Sequence, residues 1–286
     1  MRRAIARWLV VPILLTVALA SGCQSETTKH LYKAEDLFEK RDLKGAQQEL
    51  QLSIQADPNN ADAHKSLAHV DEYLGDQEGA AREFEAASAL DPTDQKLLQK
   101  ARYYKTIQDL IKEADKAVDQ IKAGQVAEGM GQLRDILKAA RVKYLQTKVM
   151  KDLTDVLPVI AQQGDQQLKD KKFADAFKTY EQGVAGYILL AQAQNKQTLD
   201  PAADALIFSL SSAAASGATP DALSHVLDEV LTIDEQNKAA NMELAQVYLH
   251  HNPPDYDTAA DLEERAGAPD ADVKKLRDQA KRHHKG

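Results

Sequence analysis

Cysteine occurs once in the 286 residues, at Cys23, so the chain holds no internal disulfide and no pair of thiols for a redox or zinc site. Tryptophan also occurs once, at Trp8, and aromatic residues make up 5% of the chain. A protein that loses its first residues on export would therefore lack the indole on which sugar rings stack. There is no HExxH, no GxxxxGK[ST] and no GxSxG, which excludes the common zinc-protease, phosphate-loop and serine-elbow chemistries. Proline (9) and glycine (13) are few and no sustained alternation of apolar and polar residues is present, which points to an all-α chain rich in Ala, Leu, Gln, Lys, Asp and Glu. The long apolar run, Trp8 to Leu19, is shorter than the roughly 20 residues that span a bilayer. Basic charge is scarce as well. Without residues 1–22, which carry Arg2, Arg3 and Arg7, 33 basic side chains face 44 acidic ones. Affinity for nucleic acid comes mostly from cations that displace counterions, so no nucleic-acid partner is expected.

Arg2, Arg3 and Arg7 followed by the apolar run and the small residues Ala20-Ser21-Gly22 read as an export signal over residues 1–22. Ala20-Ser21-Gly22-Cys23 resembles the bacterial lipobox, with Ala20 where leucine is commoner and Leu19 one place earlier. The resemblance implies a lipidated Cys23 at the mature N-terminus, a membrane anchor, and residues 23–27 as a short tether. Gln24, in place of aspartate, implies the outer membrane under the usual sorting rule. An ordinary cleaved signal, or a short uncleaved anchor with an incidental cysteine, is the competing reading.

Asp57-Pro58 and Asp91-Pro92 lie 34 residues apart, and the chain between them repeats itself. Counted back from the prolines, Ala34 matches Ala68, Ala46 matches Ala80, Leu50 matches Phe84 and Ser53 matches Ala87. Two antiparallel helices approach closely only where facing residues are small, with a bulky residue filling the groove one turn on. Asp-Pro ends one helix, and Asn59-Asn60 or Thr93-Asp94 caps the next. Over residues 28–94 these positions resemble two tetratricopeptide repeats.

Beyond Pro92, residues 95–266 carry weaker copies. Small positions of successive first helices fall at 34, 68, 117, 164, 211 and 245, with intervals of 34, 49, 47, 47 and 34. About six units follow, with longer helices in the middle. Leu97, Ala101, Tyr104, Ile107, Ile111, Ala114, Val118 and Ile121 predict one long helix from Gln95 to Ala123. Leu223 is larger than its position wants, and the turn at Asn252-Pro253-Pro254-Asp255 is two residues longer than in the first repeats. Asp200-Pro201 and Thr219-Pro220 mark helix starts, and residues 267–286 form a terminal capping helix from Pro269-Asp270 with a basic tail. The expected fold is an all-α solenoid of antiparallel helix pairs.

The resemblance implies a non-enzymatic, protein-binding array whose groove is lined by exposed residues of each first helix. Those are Leu31, Glu35, Phe38 and Glu39 in the first unit, and Lys65, His69, Glu72 and Tyr73 in the second. Phe38 and Tyr73 either anchor a peptide or pack against the next repeat. The carboxylate clamp of chaperone-binding repeats is matched only at Lys65, so an acidic tail is a poor ligand. His250, His251, Asp255 and Asp257 form a weak metal-like constellation that reads better as solvent-exposed side chains, and no metal or cofactor is expected. His64 falls at a helix-packing place. Together these features suggest a lipid-anchored periplasmic scaffold for envelope proteins or peptides. The alternative, an extracytoplasmic small-ligand or glycan-binding protein, requires a closed polar pocket with clustered aromatic residues.

Overall fold

The computed structural model describes residues 20–217 and 220–283, with side chains for 26–217 and 221–283. Residues 1–19, within the span that the sequence suggests as an export signal, and Thr219, His284 and Lys285 lie outside the described residues, as does the side chain of Cys23. Thirteen helices and no strand are found among the described residues. They are α1 (Ala20–Glu39), α2 (Leu43–Ala56), α3 (Ala61–Leu74), α4 (Gln77–Leu90), α5 (Gln95–Lys122), α6 (Val126–Ala139), α7 (Lys143–Lys169), α8 (Phe173–Ala193), α9 (Ala202–Gly217), α10 (Pro220–Ile233), α11 (Lys238–Leu249), α12 (Tyr256–Arg265) and α13 (Asp270–His283). The chain divides within α5 into two compact units, residues 1–109 and 110–286.

In the first unit α1 packs on α2, and α3 on α4. The second pair repeats the first by residue position as well as by length. Ala34, Ala46, Ala68 and Ala80 are buried where the helices approach, and Leu50 and Phe84 fill the grooves beside them. Polar contacts repeat with the same period. Asp42 and Asp76 cap α2 and α4 by accepting from Gly45 N (2.9 Å) and Gly79 N (2.8 Å). Asn60 and Asp94 cap α3 and α5 by accepting from Ala63 N (3.0 Å) and Leu97 N (3.1 Å). His30 Nδ1 meets Glu49 Oε2 at 2.7 Å, and 34 residues on His64 Nδ1 meets Glu83 Oε2 at 2.6 Å. Each imidazole latches the two helices of its own repeat together, which gives His64 the packing role expected of it.

The second unit holds the far half of α5 and α6 to α13. Its small positions Ala117, Gly164, Ser211 and Ala245 are buried, as are Gly129, Ala176 and Leu223 twelve residues after the first three. In the last pair the buried alanine is Ala259, two places late, as the longer turn at residues 252–255 requires. α5 and α7 have 28 and 27 residues against 14 for α3 and α4, which accounts for the long middle intervals. The interval from 164 to 211 is stretched instead by the 21 residues of α8 and the connection after it. Asp234 and Asn237 occupy the places of Asp57 and Asn60: Asp234 Oδ2 accepts from Leu199 N at 3.1 Å, and Asn237 Oδ1 caps α11 through Ala240 N at 2.9 Å. α13 buries Val273 and Ala280 against the array and exposes most of its remaining residues.

The span 23–27, read from the sequence as a tether, is helical, since α1 begins at Ala20. No glycine or proline interrupts the chain between Cys23 and Gly45. Thr27 is also already packed: it is buried, and its carbonyl accepts from Ser53 Oγ at 3.1 Å.

Candidate partner-binding groove

The groove lies in the first unit, where α1 and α3 stand side by side. Apolar residues recur on α1 at helical spacing, so Leu31, Ala34 and Phe38 share one face. α3 offers Ser66, His69 and Val70 in the same way, and Leu50 of α2 reaches the floor between them. The resulting cleft has a volume of about 260 Å³, and Glu35 and Glu39 complete its lining from the exposed side of α1. Five of the eight residues expected at the groove, Leu31, Glu35, Phe38, Glu39 and His69, therefore line it.

Lys65, Glu72 and Tyr73 do not line the cleft. Lys65 Nζ donates to Asp94 Oδ2 at 2.7 Å, a contact that raises its pKa, and this joins α3 to the start of α5. Glu72 accepts from Lys100 Nζ at 2.6 Å and from the Tyr104 hydroxyl at 2.7 Å, while His69 Nδ1 lies 2.9 Å from its other oxygen. These side chains tie one first helix to the next. Tyr73 is 64% exposed and meets Phe38 edge to face, with ring centres 5.2 Å apart. Phe38 thus packs on the neighbouring repeat and also lines the cleft. His69 is held by its edge contact to Phe84 at 5.1 Å as well as by Glu72. Sequence reasoning took Ala34 and Leu50 for core and did not mark Val70 as lining the cleft. It also missed both histidine–glutamate latches, although the 34-residue spacing of His30 from His64 and of Glu49 from Glu83 was there to find them.

Burial pushes the Glu72 carboxyl up, but the hydrogen bonds from Lys100, Tyr104 and His69 together outweigh it and hold its pKa below the ordinary 4.5. Lys33, at 2.6 Å, and then His30 lower that of Glu49. A carboxylate whose folded pKa is depressed contributes stability that is complete above its unfolded pKa and disappears as pH falls through the folded value. The first unit should accordingly lose stability as pH drops below 4.5, and Glu72→Gln should make that loss shallower. Urea denaturation of both chains at about pH 6 and about pH 3.5 measures this difference; equal acid losses in the two would remove Glu72 from the account.

Other clusters are occupied structurally. His250 Nδ1 lies 2.7 Å from the Gln246 carbonyl, the His251 ring rests against Tyr248, and Asp255 caps α12 through Thr258 N at 3.0 Å. Among the described residues no three His, Cys, Asp or Glu side chains gather as a metal-binding group, and no described helix is long and apolar enough to cross a membrane. Two clefts of the second unit, about 470 Å³ between α6, α8 and α10 and about 450 Å³ between α11 and α13, have no aromatic side chain in their lining.

No family model matches the chain, and no curated protein matches it. Among solved structures, similar ones include the TPR2AB domain of yeast Sti1 in its pHSP90 complex, with 12% identity, 90% of this chain and 96% of that one covered, and a TM-score of 0.34. Pseudomonas aeruginosa pilF shows 15% identity over 90% of this chain and 99% of its own, with a TM-score of 0.26. PilW, described as a widely conserved type IV pilus biogenesis factor, shows 13% identity over 85% and 95%, with a TM-score of 0.27. Likeness of this degree carries nothing about partners, and the repeat assignment stands on the residue positions given above.

Proposed function

We propose that this protein is a non-enzymatic scaffold of the bacterial cell envelope, anchored by lipid at Cys23 and binding other envelope proteins through the α1–α3 groove. The observation that carries the binding role is the cleft itself, with an apolar floor of Leu31, Ala34, Phe38, Leu50 and Val70 open beside the exposed Tyr73. An aromatic pair beside an apolar cleft supplies the kind of anchor site on which protein interfaces concentrate their energy. The export signal and the lone cysteine at its end support the anchor, and Gln24 supports the outer membrane. Assembly of pili, β-barrels, peptidoglycan or exported polysaccharide is the kind of process such a scaffold serves. A glycan or small-ligand site is less well supported, since aromatic side chains do not gather in the two second-unit clefts described above.

The test places a photo-crosslinking residue at Ser66 and irradiates intact cells. The expected result is a small, defined set of crosslinked envelope proteins that is lost in a Phe38→Ala chain, while Cys23→Ala moves the protein from the membrane to the soluble fraction with its helical content unchanged. Crosslinks that persist without Phe38 would sink the groove. Retention of Cys23→Ala on the membrane, with labelled fatty acid still incorporated, would sink the anchor.

A further inference from the structure

Glu35 and Glu39 stand one helical turn apart on α1, both exposed at the rim of the apolar cleft. Their neighbours on that helix are arranged differently. Lys29 pairs with Glu26 at 3.5 Å, Lys33 with Glu49 at 2.6 Å, and Lys40 with Asp36 at 2.5 Å. Lys29 and Lys33 of α1, and Lys40 just past its end, are thus closed by a carboxylate, whereas Glu35 and Glu39 have no cation within ion-pair distance among the described residues. Like charges at this spacing repel across one turn, so the isolated protein carries an uncompensated electrostatic cost at the mouth of its groove. Two lysines of the neighbouring first helices are closed as well: Lys65 of α3 is held by Asp94 at 2.7 Å and Lys100 of α5 by Glu72 at 2.6 Å. An acidic ligand would have to break those pairs to use either lysine. A basic ligand finds two open carboxylates beside an apolar floor, in a region (residues 26–109) where 17 carboxylates stand against 11 lysines and arginines.

Resting on the groove reading above, we propose that the α1–α3 cleft takes a cationic amphipathic protein segment. An aliphatic or aromatic side chain of that segment occupies the floor against Phe38 and Val70. A lysine or arginine three or four residues away sits between Glu35 and Glu39. The roughly 6 Å rise between those two positions lets one guanidinium fork reach both carboxylates.

The probes are two fluorescein-labelled 12-residue peptides with the same leucine and phenylalanine positions, one carrying lysine and the other glutamate at every polar position. Binding to the full mature chain is followed by anisotropy. The lysine peptide should bind at least about tenfold more tightly, with the advantage shrinking as salt is raised, because exposed charges are screened. Glu35→Gln with Glu39→Gln should abolish most of that advantage, and Phe38→Ala should weaken binding of the lysine peptide to either form. Equal affinities, a preference for the glutamate peptide, a preference that survives the double glutamine change, or no binding of either peptide would each overturn the cationic partner. Crosslinking at Ser66 that still depends on Phe38 would in those cases leave the groove standing, so the two ideas fail separately.

Discussion

Replacing Phe84 with alanine should cost the first unit about 4 kcal/mol, the range found when a fully buried aromatic ring is removed from a core that cannot collapse around the gap. Phe84 is 1% exposed and occupies the large-residue position of the second repeat. Its ring stacks on Tyr104 with centres 5.3 Å apart, takes the edge of His69 at 5.1 Å, and lies 5.5 Å beneath Lys100 Nζ. All three of those partners, His69, Tyr104 and Lys100, also reach Glu72. Loss of the ring would therefore loosen the polar tie between α3 and α5 from beneath. Hydrogen exchange checks this locally: amides of α3 and α4 should lose protection, while those in α9 and α10 serve as an internal reference. Phe84→Leu, which keeps most of the volume, should recover more than half of the loss. Protection unchanged in Phe84→Ala would show that this position is not the centre of the repeat.

The second large effect is a difference in sign within one helix. Gly129 and Gly131 both lie in α6, and on helix propensity alone each should gain up to about 1 kcal/mol when changed to alanine. At Gly129 a Cβ would sit 2.5 Å from the Ala117 carbonyl oxygen and 2.6 Å from Ile121 Cγ1, both on α5. A backbone oxygen cannot swing aside, so α5 and α6 would have to separate, and Gly129→Ala should cost about 2 kcal/mol net. Nothing lies within 4 Å of a Cβ at Gly131, so that change should stabilise by about 0.5–1 kcal/mol. Denaturant midpoints of the two variants should thus fall on opposite sides of the parent. Gains at both positions would mean that the close approach of α5 and α6 is absent in solution.

Gly129 illustrates how the fold could be read from the sequence. It stands twelve residues after Ala117, as Ala46 does after Ala34, a spacing that marks the pair without a closing proline because close helix contact needs a small residue whatever the loops do. Loop chemistry was less visible. The residue seven places after each of the first four small positions adopts a left-handed backbone: Arg41 (φ 64°), Gly75 (φ 80°), Gly124 (φ 92°) and Lys171 (φ 60°). Only two of those four are glycine, so half of the turns gave no signal that propensity could detect. Caps follow the same division. Asp42 and Asp76 announce α2 and α4, whereas Gln125 and Lys172 precede α6 and α8 without a side-chain cap bond. At the groove, Leu31, Glu35, Phe38, Glu39 and His69, picked by residue type and period, line the cleft. Lys65 and Glu72 were drawn away by Asp94 and Lys100, contacts 29 and 28 residues distant in sequence that only packing reveals.

The matched junctions of the first two repeats make residues 57–90 an interchangeable part. Asp57 Oδ1 accepts from Asn59 N at its start, and Asp91 Oδ1 from Thr93 N just past its end, both at 3.0 Å. Asn60 and Asp94 then cap the following helices alike, and His30 with Glu49 or His64 with Glu83 closes each pair from within. A tandem copy of the segment would meet the same turn at each end and carry its own latch inside. The array can therefore be lengthened in whole 34-residue steps, each adding one first helix and hence one more stretch of binding surface, so the reach of this protein is a quantity that gene duplication can adjust without redesigning a single contact in the turns.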